Sequence, residues 1–255
     1  MLKQQKEKKK DNDPSYVILR RLSLKIVNVL AKTSITPNQI TVGGFIIFTP
    51  LIIYFFIRGS RIDNLIALGF IFISVVIDLC DGTLARVKSM QSNFGQWLDG
   101  SLDKMFQLMI FIAIVIGIVL KTHNDLWYIV GIILLFGQSM ADYMGFCYEK
   151  LGFDFYSGSK DFNSKFTNLK KISFLDSFLK NIIVPSNLFY IFFFTCRYLL
   201  LLGVLLNRLD IFLIVFAITI NIRWLTMYFL YLRYLYPVES KLYTIKFLRE
   251  LYFKK

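Results

Sequence analysis

Four aspartates, Asp78, Asp81, Asp99 and Asp103, fall within 26 residues of a chain whose surrounding sequence is mostly apolar. The run reads Asp78-x2-Asp81-Gly82-x2-Ala85-Arg86-x8-Gly95-x3-Asp99-x3-Asp103. A carboxylate at the centre of a membrane helix costs roughly 2.5–3.5 kcal/mol on insertion scales, so a cluster of them calls for cations. Ligands that offer only oxygen suit hard ions, Mg²⁺ or Mn²⁺ rather than zinc. Four negative charges accommodate two such ions, and a metal pair is the usual clamp for phosphoryl transfer, steadying both attacking and leaving oxygens. Gly82 and Ala85 leave the helix surface bare for a ligand, Gly95 does the same at the start of the next segment, and Arg86 offers a bidentate phosphate partner.

The elements that position these groups follow from composition. Of 255 residues, 56% are hydrophobic and 17% aromatic, and the mean hydropathy is +0.55. Soluble domains average about 45–50% apolar, so the chain reads as an all-α integral membrane protein. Apolar runs of about 20 residues, the length that crosses a bilayer, predict six transmembrane helices over 41–57, 64–84, 95–120, 126–147, 184–206 and 210–232. Thr36-Pro37-Asn38 forms the turn into the first, with proline near the helix start. Before it, residues 15–32 place Val17, Ile18, Leu22, Leu24, Ile26, Val27 and Leu30 among basic residues, the pattern of an N-terminal amphipathic interfacial helix. We expect a disordered basic tail over 1–13, one membrane domain over 14–235 with a polar loop over 148–183, and an amphipathic C-terminal tail over 236–255.

Lysine and arginine set the orientation. One side carries the basic N-terminus, Arg86, Lys88, the lysine-bearing loop and the basic C-terminal tail, whereas the other carries Arg58, Arg61, Lys121 and Arg208. Both termini are therefore expected in the cytoplasm. The second span then descends toward the cytoplasm with Asp78 and Asp81 at its end, and the third rises from it with Asp99 and Asp103 near its start. Spacings of three and four put each pair on one helical face. Two adjacent antiparallel helices are thus expected to aim four carboxylates at one point.

Other chemistry is poorly supplied. Cys80, Cys147 and Cys196 have no paired spacing, and His123 is the only histidine, which argues against a disulfide framework, a zinc site or a serine–histidine triad. The net charge of +13 fits cytoplasmic loops facing anionic head groups, and no aromatic-interleaved basic module accompanies it, so no nucleic acid partner is expected.

The eight fixed positions of the aspartate run resemble the signature of the CDP-alcohol phosphotransferases, integral membrane enzymes of phospholipid biosynthesis. Thr36-Pro37-Asn38-x-Ile40-Thr41 is similar to the family's usual lead-in. The resemblance covers about 36–103 closely. It implies that Asp78, Asp81 and Asp99 hold two divalent ions, with Asp103 completing the centre and acting as general base. It also implies that Gly82, Ala85, Arg86 and Gly95 form the cytidine diphosphate site, with Asn38 and Thr41 nearby. The implied reaction moves a substituted phosphate from a CDP-linked donor, CDP-diacylglycerol or a soluble CDP-alcohol such as CDP-inositol, to a small alcohol or polyol phosphate. CMP leaves. A homodimer is implied as well.

Asp142, Arg197 and Arg223 are further charges inside predicted spans, and such charges are functional candidates by default. We read them as candidates for holding a phosphorylated acceptor, against the alternative of an Asp142–Arg223 structural ion pair. The rival from another class is a divalent-cation transporter. It would need carboxylates continuing through the bilayer, whereas the third span after Asp103 is nearly all apolar.

Overall fold

In a computed structural model, residues 14–150, 199–230 and Leu232 are described. Six long helices lie among them: α1 Pro14–Leu30, α2 Pro37–Arg58, α3 Arg61–Val87, α4 Asn93–Thr122, α5 Leu126–Lys150 and α6 Leu209–Leu230. A further helical stretch covers 199–205, and no strand occurs among the described residues. Five helices are long and apolar enough to cross a membrane: Pro37–Arg58, Arg61–Val87, Asn93–Thr122, Leu126–Cys147 and Leu209–Phe229. They match five of the expected spans. The expected span over 184–206 lies outside the described residues up to 198, as do Arg197, the tail over 1–13, the loop from 151 onward and the tail over 236–255. α5 runs to Lys150, three residues into the region read as loop.

The described helices divide into two compact units, 14–132 with 199–214 and 133–150 with 215–230. The first unit holds the aspartate run. Its helices α2, α3 and α4 each start at a side-chain cap that satisfies otherwise orphaned amide groups. Thr36 and Gln39 form a reciprocal capping box at α2, with Pro37 in its first turn. Ser60 caps α3 and Ser92 caps α4. Gly59, in the left-handed region at φ 67°, ends α2 with its N–H on Phe55 O. Arg58 closes the short link to α3 by donating to Asp63 Oδ2 at 3.2 Å and to the Tyr54 hydroxyl at 3.2 Å.

α1 packs rather than simply lying alongside. Ser23 and Val27 are buried, and Val27 joins Cys80 and Leu84 of α3 in a cluster edged by Ile26, Leu30, Ala31 and Ile40. Lys88, just past α3, donates through Nζ to Thr33 O at 2.6 Å and to Ile35 O at 2.8 Å. One cation therefore ties the α1–α2 link to the end of the helix that carries Asp78 and Asp81. Leu22, Leu24 and Val29 remain exposed.

At the other end of the unit α2 and α4 meet closely. A Cβ on Gly117 would run into the backbone carbonyl of Phe56, and Gly59 sits against Gly117. Ile114, about one turn before Gly117 on α4, and the adjoining Ile118 are buried. In the second unit the amide of Asn221 on α6 plays a similar role. Its Nδ2 donates to Ile133 O at 3.0 Å, its Oδ1 accepts from Trp224 Nε1 at 2.9 Å, and Gly137 of α5 leaves room for it.

The crossing yields a direct test. Gly117→Ala must push two backbones apart, and overpacking of this kind costs about 1–3 kcal/mol. Gly69 faces open space, so Gly69→Ala is expected to be neutral or slightly stabilising through helix propensity. Thermal unfolding in detergent should show a Tm lowered by several degrees for Gly117→Ala and unchanged or raised for Gly69→Ala.

Candidate active site

The carboxylates stand where the end of one helix and the starts of two others converge. Asp78 and Asp81 sit in the last turns of α3, and Asp99 and Asp103 in the second and third turns of α4. Both helices pack against α2, and their carboxylates approach one another beside it. Carboxylate oxygens of Asp78, Asp99 and Asp103 all lie within 4.8 Å of one another. Asp78 and Asp103 are exposed, Asp99 is half-buried, and Asp99 Oδ1 is shut off from solvent.

Asp81 is held differently. It is 5% exposed, and its Oδ2 accepts from the Thr41 hydroxyl at 2.5 Å. Thr41 Oγ1 also lies 3.2 Å from Pro37 O, but a hydroxyl has one proton. The shorter contact to an ionised acceptor is the stronger of the two. The site is therefore built by three helices: α3 and α4 supply the carboxylates, and the second turn of α2 fixes one of them.

Gly95 differs from its sequence reading. A Cβ there would meet Asn38 Oδ1 at 3.0 Å and Ser92 Oγ at 3.1 Å, and its N–H donates to Ser92 Oγ at 3.0 Å. Its bareness lets the start of α4 approach Asn38 on α2, in addition to any room it leaves for a ligand. Gly82 does face open space. Ala85 is half-buried and its carbonyl accepts from Met90 N at 2.8 Å. Arg86 is exposed, with Nη2 3.4 Å from Thr83 Oγ1. Asn38, Thr41, Gly82, Ala85, Arg86, Gly95 and the four aspartates all belong to the first unit.

Asp142 and Arg223 belong to the second unit, on α5 and α6. Both are half-buried, and Asp142 Oδ2 accepts from the buried amide of Gln138 at 3.0 Å. Three residues that shape the site escaped the sequence reading: Ser92, Lys88 and Gln39. Ser92 lies three residues before Gly95 at a helix start, and Thr36 with Gln39 is the spacing of a capping box, so both carried a legible signal. The Lys88 contacts carried none, because a basic residue past a membrane helix is ordinary.

The donor set fits hard divalent cations. Three carboxylates within 4.8 Å supply only oxygens, and among the described residues no histidine or cysteine joins the group. Asp78, Asp99 and Asp103 would hold such an ion directly, and Asp81 would join them while Thr41 orients its carboxylate. Partners that orient a metal ligand are usually worth 10–100-fold in affinity. Mn²⁺ titration followed by electron paramagnetic resonance should show Asp99→Asn losing most binding. Thr41→Val should weaken it by about 10–100-fold, and Thr41→Ser should restore it; unchanged affinity in Thr41→Val would remove Asp81 from the ligand set.

Comparison with known proteins is consistent with this geometry. The profile described as CDP-alcohol phosphatidyltransferase matches residues 34–149, which takes in α2, α3, α4, nearly all of α5 and every residue of the aspartate run. Archaetidylinositol phosphate synthase of Pyrococcus horikoshii is 33% identical over 93 residues, 36% of this chain and 47% of that protein. The bifunctional IPC transferase and DIPP synthase of Thermococcus kodakarensis is 30% identical over 129 residues, 49% of this chain and 27% of that protein. The chain thus spans less than half the length of these curated relatives. The crystal structure of Mycobacterium tuberculosis phosphatidylinositol phosphate synthase with CDP-DAG bound superposes with a TM-score of 0.54 at 16% identity, covering 81% of this chain and 92% of that one. That likeness establishes a common fold. Residues 34–149 thus match the family model of the CDP-alcohol phosphatidyltransferases, with the aspartate run intact within them.

Proposed function

We propose that this protein is a membrane phosphotransferase that moves a substituted phosphate from a CDP-linked donor to an alcohol and releases CMP. The observation that carries the reading is the convergence of Asp78, Asp99 and Asp103 within 4.8 Å, on helices whose sequence holds all eight positions of the family run. Gly82 leaves open surface beside it, and Arg86 stands exposed at the same helix end.

In the proposed reaction the acceptor hydroxyl attacks the β-phosphorus of the donor. An O–P bond forms, the P–O bond to the CMP moiety breaks, and the hydroxyl proton passes to the Asp103 carboxylate. An alcohol is far too weak an acid to ionise at pH 7, so a positioned base is worth about 10²–10⁴-fold. Two Mg²⁺ or Mn²⁺ ions, when bound, would neutralise the diphosphate and the departing phosphate. Asp78, Asp81 and Asp99 would hold them with Asp103. Gly82, Ala85, Arg86 and Gly95 would line the cytidine diphosphate site, with Asn38 and Thr41 acting on it from α2, Thr41 through Asp81. The remaining depth of α4 carries no carboxylate after Asp103, so nothing favours a cation path across the bilayer.

The finer topology belongs to the same proposal. Residues 184–206 complete a sixth span, α1 lies at the interface with Leu22, Leu24 and Val29 toward lipid, and both termini and the site face the cytoplasm. The chain acts as a homodimer within one membrane domain over 14–235. For the acceptor we favour a phosphorylated polyol, inositol phosphate first, because two of the similar proteins are named for inositol phosphate products. Asp142, Arg197 and Arg223 are the charges proposed to hold it. The donor is CDP-diacylglycerol or its ether-lipid counterpart, with CDP-inositol as the soluble alternative.

CMP release by purified protein with Mg²⁺ or Mn²⁺ tests the proposal, using CDP-diacylglycerol or CDP-inositol against inositol phosphate, glycerol 3-phosphate, inositol and serine. One acceptor is expected to support turnover, and Asp103→Asn to lower it by about 10²–10⁴-fold. Arg223→Gln is expected to raise KM for a phosphorylated acceptor with little change in donor KM. No CMP with any pair, together with no binding of CDP or Mn²⁺, would overturn the enzyme reading.

A further inference from the structure

The end of the first unit remote from the aspartates holds a second feature that the proposed reaction does not use. Asn64 and Asp81 lie on the same helix, about 25 Å apart at 1.5 Å per residue. Beside Asn64, a cavity of about 150 Å³ opens among the ends of α2 and α4 and the segment 207–210. A single water needs roughly 10–15 Å³, so one water does not fill it. Phe56, Gly117 and Ile118 contribute to its apolar wall, and its polar lining comprises Asn64, Lys121, Thr122, Asn207, Arg208 and Asp210.

Asn64 is 3% exposed, and its Nδ2 donates to Gly59 O at 3.4 Å. Its Oδ1 is buried and meets no hydrogen-bond donor among the described residues. A buried acceptor of this kind is normally satisfied, by protein or by something bound. The charges round the mouth do not cancel. Arg208 is bidentate to Asp210 at 3.1 and 3.2 Å, while Lys121 is exposed and makes no ion pair or hydrogen bond among the described residues. Two cations against one carboxylate leave a single positive charge beside an unmet acceptor.

We propose that this cavity binds a phosphate anion carrying a hydroxyl-bearing group, the phosphate at Lys121 and Arg208 and a hydroxyl donating to Asn64 Oδ1. A monoanionic phosphodiester matches the charge, and the apolar wall suits the glycerol carbon atoms that such a group brings. The head group of an anionic lipid and a free phosphate ester share this chemistry. The site is independent of the catalytic reading, because none of its groups lies near the aspartates.

Delipidated full-length protein in detergent, followed by thermal unfolding, tests it with phosphatidylglycerol, phosphatidylcholine and glycerol 3-phosphate as probes. Phosphatidylglycerol is expected to raise Tm by about 2–4 °C and phosphatidylcholine not to. Lys121→Gln, at an exposed position, should keep the unliganded Tm and lose at least half of the rise. Asn64→Leu should lose it too. A rise with glycerol 3-phosphate alone would assign the site to a soluble ester, and a rise only with the lipid would assign it to a head group. An equal rise with phosphatidylcholine, or a full rise in Lys121→Gln, would overturn the proposal, whatever the outcome of the CMP assay.

Discussion

Like charge in an apolar bundle is the constraint on which the rest of the structure depends. Two carboxylates about 4 Å apart repel by about 4 kcal/mol at an effective dielectric near 20, and here three share one spot within 4.8 Å. Flexible segments would simply splay. Two long helices cannot, because Asp78 is fixed by the backbone of α3 and Asp99 and Asp103 by that of α4, and both helices are pinned along their length by packing. The scaffold holds the charges in place, and a divalent cation between them would turn repulsion into attraction.

The pinning is distributed. Near the carboxylates, the second turn of α2 reaches Asp81 through Thr41, and Asn38 touches the start of α4 at Gly95. Lys88 clasps the link that delivers α2, and α1 buries Val27 against Cys80 and Leu84. Far from them, the contact of Gly117 with Phe56 fixes how α2 crosses α4. Each device uses either a backbone group or a small residue, so a shift of an ångström at one end is transmitted along a rigid rod to the other. A reaction that depends on positioning two oxygens and a phosphorus has reason to be mounted on such rods rather than on loops.

The two ends of the first unit also differ in chemistry. One concentrates acid, with open surface at Gly82 and a guanidinium at Arg86; the other leaves a small excess of positive charge around Asn64 and Lys121. Such a division suits a protein that handles a metal-bound diphosphate on one face and meets anionic head groups on the other. The buried packing between them is largely apolar, as in Ile110, Phe111 and Ile114 of α4, with Thr49 of α2 a buried polar exception.

The aspartate run, the length of the apolar segments and the spacing of the caps were all legible in the sequence. Each depends on local periodicity: i, i+3 and i, i+4 set a helical face, and about 20 apolar residues set a span. Hence five spans, the location of the carboxylates at neighbouring helix ends and the turn at Thr36-Pro37-Asn38 are where the residues put them. What only the tertiary structure decided is which groups face each other across helices. Asp81 turns to Thr41 while the other three aspartates gather, Gly95 makes room for Asn38, and Lys88 reaches two carbonyls more than fifty residues away in sequence. Those pairings depend on how far each helix is rotated and how closely it crosses its neighbours. That rotation is set by the sum of many small packing contacts, Gly117 against Phe56 among them, and no local pattern in one segment contains it.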